Sequence, residues 1–147
     1  MFKDTFYFKT DIDRPLDEVW AFFQTNENLA AITGFPKIRI LGEKDVYEGS
    51  DVHLQMDFLI IKMQWKGRIT KVVPRAFFMD EGTELPFPFK SWRHVHAFKE
   101  LDDGRTRMID RVEFSSLVPS PFVRLMLKGM FKDRERQLMK QFRPRTN

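Results

Sequence analysis

Two histidines and one carboxylate carry most of the chemistry this chain can offer. His94 and His96 stand two residues apart in Trp92-Arg-His-Val-His-Ala-Phe98, and Asp110 opens Asp110-Arg-Val-Glu-Phe114. Side chains alternate between the faces of an extended strand, so Trp92, His94, His96 and Phe98 share one face. Met108, Asp110, Val112 and Phe114 share one face of the next strand. Leu101-Asp-Asp-Gly-Arg105 between them reads as a turn, with Gly104 free to take positive φ. A three-residue loop there sets His96 opposite Asp110 and His94 opposite Val112. Two imidazoles and one oxygen are a ligand set used by non-haem iron and some zinc sites. The same groups also form a hydrogen-bonded cluster in which Asp110 fixes the tautomer of His96. They equally suit a polar handle for a ligand, or an acid/base pair with His96 as base and Asp110 as its orienter. Hydrogen bonding is the plainest of these, and neither a metal nor a cofactor is expected. His53 falls on the wet face of its own strand and stands apart.

Arg134 is the second chemical feature. It falls in the middle of an apolar helical stripe made by Val123, Met126, Leu127, Met130, Phe131 and Leu138. An unpaired guanidinium there is costly. It must meet a buried carboxylate such as Asp110, meet an anionic ligand, or reach past the sheet edge to water, the plainest expectation. Nothing else forms a committed catalytic set: there is no nucleophile elbow, no phosphate-cradling glycine loop and no metalloprotease helix.

The elements that must position these groups follow from periodicity. Residues 2–12 alternate as a strand with Phe2, Phe6 and Phe8 on one face. Asp13 is placed to cap a helix with Pro15 in its first turn, and Asn26 to Thr33 forms a second short helix before Gly34 and Pro36. Strands are expected at 37–42, 52–58, 62–69, 76–80, 91–100 and 105–116, with a Pro- and Phe-rich loop at 81–90. Leu85, Phe87 and Phe89 of that loop are candidates for an exposed lid. Ser120 and Pro121 start a long helix reaching Phe142, with Pro144 beyond it. Strand, two short helices, six strands and one long helix make an α+β fold, in which a curved antiparallel sheet wraps the last helix.

Composition bounds the reading. The 147 residues include 16 Phe against 2 Tyr and 3 Trp, so the aromatic surface mostly lacks polar handles, as a core or the wall of a greasy pocket requires. Ten apolar residues are expected to line such a pocket: Phe6, Phe8, Leu54, Met56, Phe58, Trp65, Val112, Phe114, Met126 and Met130. His94, His96, Asp110 and Arg134 would orient the ligand's polar end. The absence of cysteine removes disulfides, thiol catalysis and thiolate metal sites. The net charge of +4 is concentrated from Lys128 onward, where seven basic residues face two acidic ones, a solvated helix face or an anionic-membrane surface. No basic stripe interleaved with base-stacking aromatics indicates nucleic acid. The start of the chain shows no signal-peptide block, and no apolar run, Phe58 to Ile61 included, is long enough to span a bilayer. One cytoplasmic domain, a monomer or homodimer, is expected.

These motifs, in order, resemble the superfamily that groups START lipid-transfer domains, the birch-pollen allergen and polyketide cyclases (SRPBCC), most closely its small bacterial ligand-binding members. The residues that carry the resemblance are Pro15, Asp17-Glu-Val-Trp20, Phe22-Phe23 and Asn28-Leu29; Phe78 and Asp80; Trp92-x-His94-x-His96-x-Phe98; and Asp110-x-Val112-x-Phe114. The resemblance covers essentially the whole chain and implies the helix-grip fold. Two departures stand out: Phe114 where the pattern usually has Tyr, and Pro86-Phe87-Pro88 where it usually has a Gly-Pro pair. Carriers, receptors and enzymes share that scaffold, so the resemblance leaves three functions open. They are non-covalent binding of a hydrophobic small molecule, a cyclase- or dehydratase-type reaction, and membrane-surface or protein interaction.

Overall fold

The computed structural model describes residues 1–143; Pro144 lies outside the described residues. The elements are β1 (Phe2–Ile12), α1 (Leu16–Phe22), α2 (Asn26–Ala31), β2 (Lys37–Ile40), β3 (Asp51–Asp57), β4 (Lys62–Val73), β5 (Phe77–Glu84), β6 (Phe89–Glu100), β7 (Thr106–Ser116) and α3 (Ser120–Gln141). The strands form a seven-stranded sheet in the order β1-β7-β6-β5-β4-β3-β2. Every neighbouring pair is antiparallel, and β2 to β7 run as a meander. Pairing of β1 with β7 brings the start of the chain against its last strand. The turn between β6 and β7 closes as expected, with Gly104 at φ +82°.

Four local expectations change. Pro15 itself, not Asp13, is the N-cap of α1, and its extended backbone (φ −62°, ψ 153°) leads into the helix without a side-chain cap. Pro119 likewise caps α3, and Ser120 is its first helical residue. β5 runs on to Glu84, so the Pro-Phe loop shortens. Leu85 folds back over Gly82, where a Cβ would collide with the Leu85 side chain. Phe89 consequently opens β6 and is buried, while Phe87 stays exposed.

The core has two parts. One lies under α1 and α2, with Ile12, Val19, Phe23, Ile32, Phe78, Phe98, Met108 and Leu138 buried. The other packs Phe6, Phe89, Val112 and Phe114 of the sheet against Val123, Leu127 and Phe131 of α3. The buried residues of α3 are Val123, Leu127, Phe131, Arg134 and Leu138, spaced four, four, three and four apart. That spacing makes a narrow stripe. Met126 and Met130 each precede a member of it by one residue, about 100° round the helix. They are therefore 41% and 40% exposed, contrary to the inward position expected for them.

Candidate functional site

A polar seam crosses the interior where the two parts of the core meet. The strand register is the one the turn predicts: His96 pairs with Asp110 and His94 with Val112. On the other side of β6, β5 sets Asp80 opposite His94 and Phe78 opposite His96. The hydrogen bonds nevertheless run diagonally. The two imidazoles stack at 3.6 Å between centroids, tilted by 25°. His94 Nε2 lies 2.7 Å from Asp110 Oδ1, and His96 Nε2 lies 2.6 Å from Asp80 Oδ2. Asp110 is thus the partner of His94, not of His96. The second carboxylate, Asp80, was not singled out as a site residue by periodicity. Its signal was its place two residues after Phe78, on the same face of a strand.

Arg134 does not reach water. Its Nη1 donates to Asp110 Oδ1 at 3.0 Å and its Nη2 to Asp110 Oδ2, a two-pronged pair at a carboxylate with no exposed surface. Its guanidinium also lies 4.6 Å over the Phe131 ring. The position of Arg134 on the buried stripe, facing β7, decides this outcome.

The electrostatics follow from burial. Burial alone pushes the Asp110 carboxyl up, but the Arg134 guanidinium and the His94 hydrogen bond outweigh it, holding Asp110 well below the usual carboxylate range. Asp110 is therefore an acceptor only, and His94 Nε2 must carry the proton it donates. His96 is pushed below the usual imidazole value, first by burial and then by the neighbouring His94, against the opposing pull of Asp80. Among the described residues, two polar atoms of the seam have no hydrogen-bond partner: His96 Nδ1 and Arg134 Nε.

Aromatic rings border the seam. Phe78 stacks on His96 at 4.2 Å, while Phe131 and Trp92 meet His94 at 5.7 and 5.8 Å. Of the expected apolar wall, Phe6, Val112 and Phe114 are buried in the part of the core that contains Phe131, with Phe8 packed against it. Phe6 and Phe8 each lie 5.5 Å from the Phe131 ring. Leu54 belongs to the other part, and Trp65 touches both. Met56 is half-buried on β3. Phe58 follows β3 and packs edge-on against Phe35 at 5.7 Å, and Met126 and Met130 sit on the flank of α3. His53 contacts Gln64 at 3.0 Å, away from the seam. Two surface clefts are open to solvent. One, of about 420 Å³, is lined by Lys9, Asp11, Arg107, Glu135 and Met139. The other, of about 640 Å³, runs past Trp92, Arg93 and Phe114. Neither is lined by His94, His96, Asp110 or Arg134. Among the described residues, no helix is long and apolar enough to cross a membrane.

The seven-stranded antiparallel sheet, the two short helices after β1 and the long α3 make the helix-grip fold. The chain belongs to a family described as a domain of unknown function, DUF8410, whose profile matches residues 57–142. No curated protein matches it. Among solved structures, protein CV1439 from Chromobacterium violaceum superposes with a TM-score of 0.77 at 16% identity, covering 96% of this chain and 98% of its own. Major latex-like protein 151 from Panax ginseng gives 0.75 at 13% identity, covering 98% of this chain and 100% of its own. The Zhui aromatase/cyclase from Streptomyces sp. R1128 gives 0.68 at 16% identity, covering 95% and 93%. Likeness at these identities establishes the shared fold.

Proposed function

We propose that this chain, as a single helix-grip domain of the cytoplasm, binds a hydrophobic small molecule between the sheet and α3. The ligand's polar end would meet His94, His96, Asp110 and Arg134. One observation carries this reading: a charged, hydrogen-bonding seam is buried against aromatic rings and retains unspent capacity at His96 Nδ1 and Arg134 Nε. A buried ion pair is a weak source of stability, because desolvation offsets most of its Coulomb gain. A polar ligand group would use what the seam leaves unpaired, while the Phe131 contacts with Phe6 and Phe8 give way to the ligand's apolar body. Burial then favours binding by roughly 25 cal/mol per Å² before entropy costs.

Native mass spectrometry of the whole chain, followed by organic extraction and titration with a naphthalene-sulfonate probe, tests the reading. A co-purified lipid, polyketide or aromatic metabolite, or probe uptake near one per chain, is the expected result. A bare protein that refuses the probe overturns it. The His96–Asp80 pair favours a second reading, a cyclase- or dehydratase-type enzyme in which Asp80 orients the imidazole for proton transfer. His96→Ala would then abolish turnover of a polyketide substrate, whereas a carrier would lose only part of its affinity.

A further inference from the structure

Both histidines of the seam stand between two carboxylates. His94 turns Nε2 to Asp110 and Nδ1 to Asp80, 3.9 Å from its Oδ2. His96 turns Nε2 to Asp80 and Nδ1 to Asp110, 3.9 Å from its Oδ1. One nitrogen from each ring and one oxygen of Asp80 therefore converge, all within 4.8 Å of one another. The geometry points to a binding site for a divalent transition-metal ion of the zinc class, held by His94 Nδ1, His96 Nε2 and an Asp80 oxygen. The site goes beyond the apolar-ligand reading and stands without it.

Proton placement supports this ligand set. In the neutral imidazole the proton of His94 sits on Nε2 beside Asp110, which leaves Nδ1 an acceptor 3.9 Å from the Asp80 carboxylate. Two acceptors then face each other with no hydrogen between them, an arrangement a cation relieves. At His96, a metal would take the Nε2 lone pair and the ring proton would pass to Nδ1. The imidazole stays neutral and no proton leaves the site. The proton arrives at the buried nitrogen that has no partner, facing Asp110. Asp110 would then back both metal-binding rings, the carboxylate–histidine–metal arrangement that orients ligands and raises their basicity. Arg134 holds Asp110 in place through both carboxylate oxygens, sharing Oδ1 with His94 Nε2.

Distance and charge agree. Metal–ligand bonds of about 2.0–2.1 Å hold neighbouring donors roughly 3.3 Å apart. The Asp80–His96 contact of 2.6 Å would open and the Asp80–His94 distance of 3.9 Å would close, each by less than about 1 Å. The two rings, now stacked 25° from parallel, would rotate apart so that both in-plane lone pairs meet one ion. With neutral imidazoles, the carboxylates of Asp80 and Asp110 outnumber the one guanidinium of Arg134, so the buried seam carries a net negative charge that a dication offsets. The Asp80 side chain is 17% exposed, which gives an ion a route from solvent. Three ligands on one side of the ion leave positions for water or a ligand oxygen.

Titration of the whole chain with Co²⁺ alone, followed by its visible d–d absorption, tests the site. The expected result is saturable uptake of one ion per chain with a spectrum of low coordination number, displaced by Zn²⁺. His96→Gln and Asp80→Asn should each weaken uptake by tenfold or more, and His53→Gln should leave it unchanged. Asp110→Asn, which removes no ligand, should weaken it about 10–100-fold. If the seam variants fold poorly, long-range ¹H–¹⁵N spectra of the unaltered protein decide. Zn²⁺ should move the His96 proton from Nε2 to Nδ1 and leave His94 protonated at Nε2. Absence of saturable uptake, uptake indifferent to His96→Gln and Asp80→Asn, or an unmoved His96 proton would each overturn the site.

Discussion

The core under α1 and α2 and the seam across β5, β6 and β7 draw on the same elements for opposite ends. β6 gives Phe98 to the first and His94 and His96 to the second, and α3 gives Leu138 to the first and Arg134 to the second. In the first, Trp20 meets Phe78 and Phe98 edge-on at 6.0 and 5.3 Å, and burial alone accounts for the packing. In the second, charges have left water, and their mutual attraction does little more than offset that loss. A protein selected for stability alone has no need of the seam. The contrast separates what holds the fold from what the fold presents to a partner.

The sharpest break of that contrast is Arg134→Met. It leaves the Asp110 carboxylate buried beside His94 only, and urea unfolding should show a loss of about 3–5 kcal/mol. Adding Asp110→Leu should restore most of it, since the charge is removed with its partner, while binding at the seam stays lost. Leu138→Ala is the counterpart in the apolar part. It should cost about 2–5 kcal/mol through the cavity it leaves, with no rescuing partner and with Co²⁺ uptake intact. Failure of Asp110→Leu to rescue Arg134→Met would remove the distinction between the two regions.

Acid should act on the seam first. His96 titrates lower in the folded chain than in the unfolded one. The unfolded state therefore binds the extra proton first, and stability begins to fall as pH drops below about 6.5. Asp110 is also held low, so its contribution is complete above the unfolded value near 4 and is lost below it. Two successive losses are expected in pH-dependent unfolding. His96→Gln should remove the upper one and leave the lower. An upper loss that survives His96→Gln belongs to another group.

The smallest effect is expected on the flank of α3. Met126→Gln and Met130→Gln should change stability by no more than about 0.5 kcal/mol, because both side chains already meet solvent. They should leave probe uptake unchanged, whereas Phe131→Ala should alter it. Impaired uptake in either Met variant would return that residue to the ligand wall.

The pairing of His96 with Asp110 was legible because β6 and β7 are joined by a short turn, and a turn of known length sets the register. Arg134 was legible as a charge in an apolar stripe, since helical periodicity is local. Asp80 escaped because its pairing with β6 crosses the Pro-Phe loop, whose length sequence periodicity leaves open. Met126 and Met130 were misplaced because periodicity gives the centre of a stripe, while its width depends on how deeply α3 sits in the sheet.

The sequence by itself determined the order of elements, the antiparallel sheet around a last helix, and the face that bears His94, His96 and Asp110, all of which rest on local alternation and turns. Only the tertiary structure decided which carboxylate serves which histidine, where Arg134 ends, and which aromatic rings border the seam. Those outcomes depend on distances between elements far apart along the chain. There the side chains take diagonal partners, His94 with Asp110 and His96 with Asp80, in place of those that strand register sets opposite, and Arg134 reaches Asp110 from α3.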